Sequence, residues 1–126
     1  MPEQEMPHDH GQNISVLLKQ TPSDTAFQRA ADTFQQLCDS TRLRILWLLC
    51  HSEECVCNIA AAVNMSGSAV SHHLRILKQT GLISYRRIGK EVHYTLADTE
   101  EARLVHRMID DVLNMNCPRE RTKTEN

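Results

Sequence analysis

The sequence predicts a mainly α-helical domain that carries one small β-hairpin. Three observations predict it. Apolar residues recur at helical spacing in several separate segments; a short helical run, a polar break and a longer helical run follow one another between residues 57 and 81; and a glycine-bearing turn joins two strand-like runs just after them. A chain of 126 residues suits one compact domain. We expect that domain over 24–116, preceded by an N-terminal arm over 1–23 and followed by a solvated tail over 117–126.

The arm shows little apolar periodicity beyond "ISVLL", which predicts one short helical or strand-like piece. From Ala26 the pattern changes: Phe27, Ala30, Ala31, Phe34 and Leu37 recur at helical spacing, with Asp24 placed to cap. After "CDS", Ser40 is expected to cap a second helix through "TRLRILWLLC". Its Leu43, Ile45, Leu46 and Leu49 make it apolar nearly all round, and so largely buried. Cys38 and Cys50 at the edges of these helices read as buried, inert thiols.

"CNIAAAV" predicts a short helix, "NMS" a break, and "GSAVSHHLRILKQTG" a second helix closed by Gly81. Val70, Leu74 and Leu77 line one face of that helix, which leaves Ser68, Ser71, His72, Arg75 and Lys78 for the outer faces; His73 is expected to turn inward and bond a neighbouring helix. A small, polar, basic exposed face on the second of two closely joined helices fits a helix-turn-helix. "LISYRR" and "EVHYTL" then predict a hairpin around "IGK", with Arg86, Arg87 and Lys90 near its tip, where a wing can lie against phosphates. Asp98 is expected to cap a last helix, with Glu101 completing a capping-box-like start. On it Ala102, Val105, Ile109 and Val112 form a stripe, with Leu104, Met108 and Met115 beside it. A stripe that wide on a terminal helix of a small domain predicts packing of that helix against another subunit. Pro118 ends the helix.

Charge and cysteine usage narrow the function. The formal net charge is -2 and the pI about 6.4, a weak argument against nucleic-acid binding when taken as a sum. Distribution argues the other way: from Ser66 to Lys90 there is no acidic residue, whereas Arg75, Lys78, Arg86, Arg87 and Lys90 all fall there. No apolar run is long enough to span a bilayer, and the opening residues lack the basic start and apolar stretch of a secretory signal, so a cytoplasmic protein is expected. In that compartment the five cysteines (Cys38, Cys50, Cys55, Cys57 and Cys117) read as core residues, ligands or sensors rather than a disulfide framework. A glycine-rich phosphate loop, a pair of acids framing a cleft and an oxyanion-type turn are all missing from the pattern, so an enzyme is not expected. Cys55 and Cys57, one residue apart in "ECVCN", read either as small buried residues or as soft thiolate donors for zinc, cadmium or lead, two sulfurs making half of a tetrahedral site.

The runs "DSTRLRIL" (Asp39 to Leu46), "ECVCNIA" (Glu54 to Ala60), "SGSAVSHHLRILKQTGLI" (Ser66 to Ile83) and "RRIGKEVHYTL" (Arg86 to Leu96) together resemble the ArsR/SmtB family of bacterial winged-helix metalloregulators. The resemblance covers residues 26 to about 115. It implies a homodimer that sits on operator DNA and leaves it when a metal or metalloid binds, releasing transcription of export or sequestration genes. It also implies that Cys55 and Cys57 are metal ligands, completed from the N-terminal arm, where His8 and His10 of "HDH" offer a Cys2His2 set suited to zinc and open to cadmium or lead. Ser68, Ser71, His72, Arg75, Lys78, Arg86, Arg87 and Lys90 are the DNA-contact candidates. A repressor of the same fold induced by arsenite, antimonite or thiol oxidation is the alternative. A second family site on the C-terminal helices finds a poorly spaced match in Asp98, Glu100, His106 and Asp110 or Asp111; there Asp98 also reads as a cap and His106 as a dimer-surface or exposed residue.

Overall fold

A computed structural model describes residues 6–11 and 13–114. Met115, Cys117, Pro118 and the expected tail lie outside the described residues. The chain divides into two units between Ala31 and Asp32. In the first, "ISVLLK" forms α1 (Ile14–Lys19), and α2 (Asp24–Gln36) begins. The cap of α2 is Ser23, whose Oγ accepts from the Ala26 N–H at 3.1 Å, rather than the expected Asp24. None of the α2 side chains is buried; Phe27 and Phe34 are each 54% exposed. The expected apolar stripe therefore exists but lies uncovered.

The second unit is organised by α3 (Ser40–His51). Its Ile45, Leu46 and Leu49 are almost wholly buried, and it packs against α4 (Val56–Val63), α5 (Gly67–Thr80), α6 (Glu100–Leu113) and the hairpin strand β3 (Glu91–Leu96). Each of those elements supplies an apolar row to the same core: Ile59, Ala60 and Val63 from α4, Val70, Leu74 and Leu77 from α5, Val105 and Ile109 from α6, with Leu82 and Ile83 between α5 and the hairpin. Full burial of a large aliphatic side chain is worth roughly 1.5–3 kcal/mol, so a helix that is apolar on nearly every side gains most by sitting in the middle.

The N-terminus of α3 is capped by Asp39, not Ser40: Asp39 Oδ1 accepts from the Arg42 N–H at 2.9 Å. At α6 the cap is Thr99, whose Oγ1 accepts from the Ala102 N–H at 3.1 Å, while Asp98 pairs with Arg103 at 2.8 Å. The α6 stripe also splits. Ala102, Val105 and Ile109 are buried within the unit, leaving Leu104, Val112 and Leu113 outside. Cys38, read from sequence as buried, is exposed, and Cys50 is half-buried.

The sheet has three strands in the order β1-β3-β2, all antiparallel. The expected hairpin is β2 (Ile83–Ile88) paired with β3, and Ile88 faces Glu91 across a two-residue turn. Gly89 has φ +62 there, a left-handed value that glycine adopts without steric cost and that suits the first central position of a tight hairpin turn. The added strand is β1 (Glu54–Cys55), which places Cys55 opposite His93. Together the α4–α5 pair and this exposed hairpin make a winged helix-turn-helix.

Removing the α3 cap has a defined cost and pH dependence. The Arg42 N–H, and after it His73 and the Arg42 charge, hold the Asp39 carboxyl below its usual 3.8 despite an opposing effect of burial. A depressed carboxylate contributes stability above its unfolded value and loses it as pH falls through the folded one. Asp39→Ala is expected to lower stability by about 1 kcal/mol at neutral pH, with the gap to the parent protein closing below pH 3.8; denaturant melts at several pH values check it.

Candidate nucleic-acid interface and thiol pair

The recognition candidate α5 is built by its ends and its buried row. Ser66 Oγ accepts from the Ala69 N–H at 3.1 Å, Gly81 closes the helix with φ +78, and Val70, Leu74 and Leu77 pin one side to the core. Helical geometry then sends Ser68, His72 and Arg75 to the opposite side at spacings of four and three, and all three are exposed. Ser71 is half-buried on the flank. Lys78 is exposed on the same flank, its Nζ 4.0 Å from the centroid of the Tyr85 ring. His73 turns inward as expected, but the expected bond to a neighbouring helix is not made at its Nδ1, which is closed to solvent without a hydrogen bond.

The wing cations differ from one another. Lys90 occupies the turn, and Arg87 beside it donates from Nε to the Gly89 carbonyl at 3.4 Å. Arg86 lies further down β2 rather than at the tip and holds Glu53 with two hydrogen bonds, Nε to Oε2 at 2.8 Å and Nη2 to Oε1 at 2.6 Å. The Arg86 guanidinium pulls the Glu53 carboxyl below its usual value, and Glu53 raises Arg86 further in return. Both groups remain open to water, so the pair sets position more than it adds stability. It ties the wing to the residue just before β1, and it leaves Arg87 and Lys90 as the wing cations not matched by an acid among the described residues.

The thiol pair sits at the start of α4. Cys55 ends β1 in extended conformation, φ -79 and ψ 165, and serves as the N-cap position; Cys57 follows in the first turn. Cys55 is 7% exposed and Cys57 is exposed. Two sulfurs at a strand-to-helix junction are compatible with thiophilic coordination: the donors are soft, one reaches solvent, and a thiolate there meets the positive end of the helix. His8 and His10 belong to the first unit, are exposed, and stack with ring centroids 5.9 Å apart. Of the C-terminal candidates, whose spacing matches the family site poorly, His106 and Asp110 come together. Asp98 is drawn to Arg103, Asp111 is exposed, and His106 is half-buried: it faces α3, beside His51 and Asp110.

Tyr85, Glu53 and His51 were not marked by sequence reasoning. The partners of Tyr85 and Glu53 come from the hairpin register. His51 carried a local signal, its spacing of four from Trp47, whose ring it meets edge-on.

Residues 39–85 match the family model described as bacterial regulatory protein, arsR family. The chain is 39% identical over 110 residues to a transcriptional repressor SmtB homolog from Synechocystis sp., covering 87% of this chain and 83% of that protein. It is 40% identical over 92 residues to a cadmium resistance transcriptional regulatory protein CadC homolog from Staphylococcus aureus, covering 72% of each. Among solved structures it resembles a homodimeric winged helix-turn-helix DNA-binding domain from Mycobacterium bovis, described as a possible ArsR-family transcriptional regulator, with TM-score 0.65 and 30% identity over 75% of this chain and 89% of that one.

A salt series on duplex DNA followed by fluorescence anisotropy separates the roles of the wing cations. If Lys90 neutralises one phosphate, Lys90→Ala is expected to lower the slope of log affinity against log salt by about 0.9. Glu53→Gln, which releases Arg86, is expected to steepen it; unchanged slopes in both variants contradict the wing's electrostatic role.

Proposed function

Since the chain belongs to the ArsR/SmtB family of bacterial transcriptional regulators, we propose that it is a metal-sensing repressor. In this reading it binds operator DNA as a homodimer in the cytoplasm, and a thiophilic divalent ion (zinc, cadmium or lead) releases it and derepresses export or sequestration genes. The observation that carries the reading is the Cys55–Cys57 pair at the first turn of α4, the helix that immediately precedes α5 in the DNA-reading unit. The relatives named for cadmium resistance and as an SmtB homolog support the same class.

On DNA, Ser68, Ser71, His72, Arg75 and Lys78 are assigned to the major groove or its flanking phosphates, and Arg87 and Lys90 to phosphates beside it, with Arg86 contributing as far as Glu53 allows. Two recognition helices of a dimer meet half-sites about one helical turn, roughly 34 Å, apart. The exposed Leu104, Val112 and Leu113 of α6 and the uncovered Phe27 and Phe34 of α2 supply apolar surface for that dimer, and the homodimeric relative supports it.

Cys55 and Cys57 would hold the ion through their thiolates, with His8 and His10 as the remaining donors of a tetrahedral set. Bound there, it supplies a positive centre that draws separate parts of the chain to one point. Tethering the arm to the start of α4 favours a conformer whose recognition helices no longer match successive grooves. Linkage makes the coupling reciprocal, so DNA weakens metal binding by the same factor, typically about 1–3 kcal/mol.

Cys55→Ser together with Cys57→Ser is expected to leave operator affinity within about twofold and to abolish release by cadmium in a gel-shift assay; retained release sinks the thiol site. For the dimer, Leu104→Glu with Val112→Glu is expected to convert the protein to monomer in sedimentation experiments and to weaken operator binding, whereas an unchanged mass moves the interface elsewhere.

A further inference from the structure

Three metal-competent side chains converge where the end of α3 meets α6. His51 is the last residue of α3. His106 and Asp110 lie one turn apart on α6, and one ligand atom from each of the three residues lies within 4.8 Å of the others. His106 Nε2 is 3.2 Å from Asp110 Oδ2, yet it makes no hydrogen bond there; Nε2 and the other carboxylate oxygen, Oδ1, are both closed to solvent. Buried polar atoms left in that state are destabilising, and a shared cation satisfies them together.

The surroundings hold the donors in place. The rings of Trp47 and His51 meet edge-on with centroids 5.2 Å apart, and those of His51 and His106 do so at 5.0 Å. His51 is thereby wedged between an indole and the second imidazole. A tetrahedral ion with bonds of about 2.0–2.1 Å needs ligand atoms roughly 3.3 Å apart. The His106–Asp110 spacing already matches, and a spread of 4.8 Å closes by small side-chain rotations.

We infer that His51, His106 and Asp110 form a second metal site, contained within one chain, for a borderline divalent ion of the zinc, cobalt or nickel class. Two imidazoles and a carboxylate without sulfur select such ions over the soft ions suited to Cys55 and Cys57. Three protein donors leave one position for water. The site differs from the C-terminal pattern that the family resemblance implies, because it takes a ligand from α3 and uses neither Asp98 nor Glu100. An ion there pins α6 to the helix on which α4, α5 and β3 pack.

The test uses the full chain carrying Cys55→Ser and Cys57→Ser, titrated with cobalt(II) alone while visible absorption is followed. Saturation at one cobalt per chain is expected, with ligand-field bands and no thiolate charge-transfer band. Adding His51→Gln or His106→Gln is expected to weaken that binding more than about a hundredfold, since even outer partners of a metal ligand are worth roughly 10- to 100-fold. Asp110→Asn, nearly isosteric, is expected to weaken it at least about tenfold with circular dichroism unchanged. Equal cobalt affinity in His51→Gln or in a folded Asp110→Asn protein overturns the inference, as does the lack of saturable binding in the folded double-serine protein. None of these outcomes bears on release of DNA through the thiol pair.

Discussion

Burial of α3 is the constraint on which the second unit depends. Ile45, Leu46 and Leu49 are almost wholly shielded from water, and the helix packs against α4, α5, α6 and β3. The recognition helix and the wing are thus fixed to a common rod rather than to each other alone. That matters for DNA reading, because the major-groove contacts proposed for Ser68, His72 and Arg75 have value only while the α5 axis is held relative to the phosphates proposed for the wing. The Glu53–Arg86 pair adds a polar strut between the wing and the start of β1. Through Cys55, β1 leads directly into α4, so the thiol pair lies on the stretch that pairs with wing strand β3 and begins the helix-turn-helix.

This arrangement explains how a regulator with net charge -2 can address DNA. The acid-free stretch from Ser66 to Lys90 maps onto α5, β2 and the hairpin turn, whereas the acidic residues of α6, such as Glu100 and Asp111, stand on another element. Glu53, reaching the wing from just before β1, neutralises a cation that the sequence pattern had counted among three, while Glu91 at the start of β3 pairs with His93. The local field, not the sum of charges, governs what the surface attracts.

Much of this was legible in sequence because it rests on periodicity. α3, α5, the hairpin and the inward rows of Val70, Leu74 and Leu77 follow from apolar spacing and from Gly81 and Gly89 at left-handed positions. The caps slipped by one residue in each helix where two cap-competent side chains stand together: Ser23 displaced Asp24, Asp39 displaced Ser40 and Thr99 displaced Asp98. In each pair the earlier or later residue wins by whether its oxygen reaches the third amide of the helix, a matter of about an ångström that composition does not encode. The split of the α6 stripe, the two-residue strand at Cys55 and the meeting of His51 with His106 depend on tertiary packing between distant segments, so no local pattern announces them. The candidate DNA residues were legible as a face; their separate engagements, such as Arg86 with Glu53 and Lys78 with Tyr85, were not.

The central claim is that thiolate coordination at the start of α4 and departure from DNA are one event. It is tested most directly by adding cadmium to the reduced full-length protein bound to a labelled palindromic promoter fragment. Thiolate-to-metal absorption and DNA anisotropy are recorded in the same cuvette. The account predicts that both signals change in parallel and end together at one cadmium per chain. Complete release before any thiolate absorption develops, or saturated thiolate absorption with the DNA still bound, would contradict it.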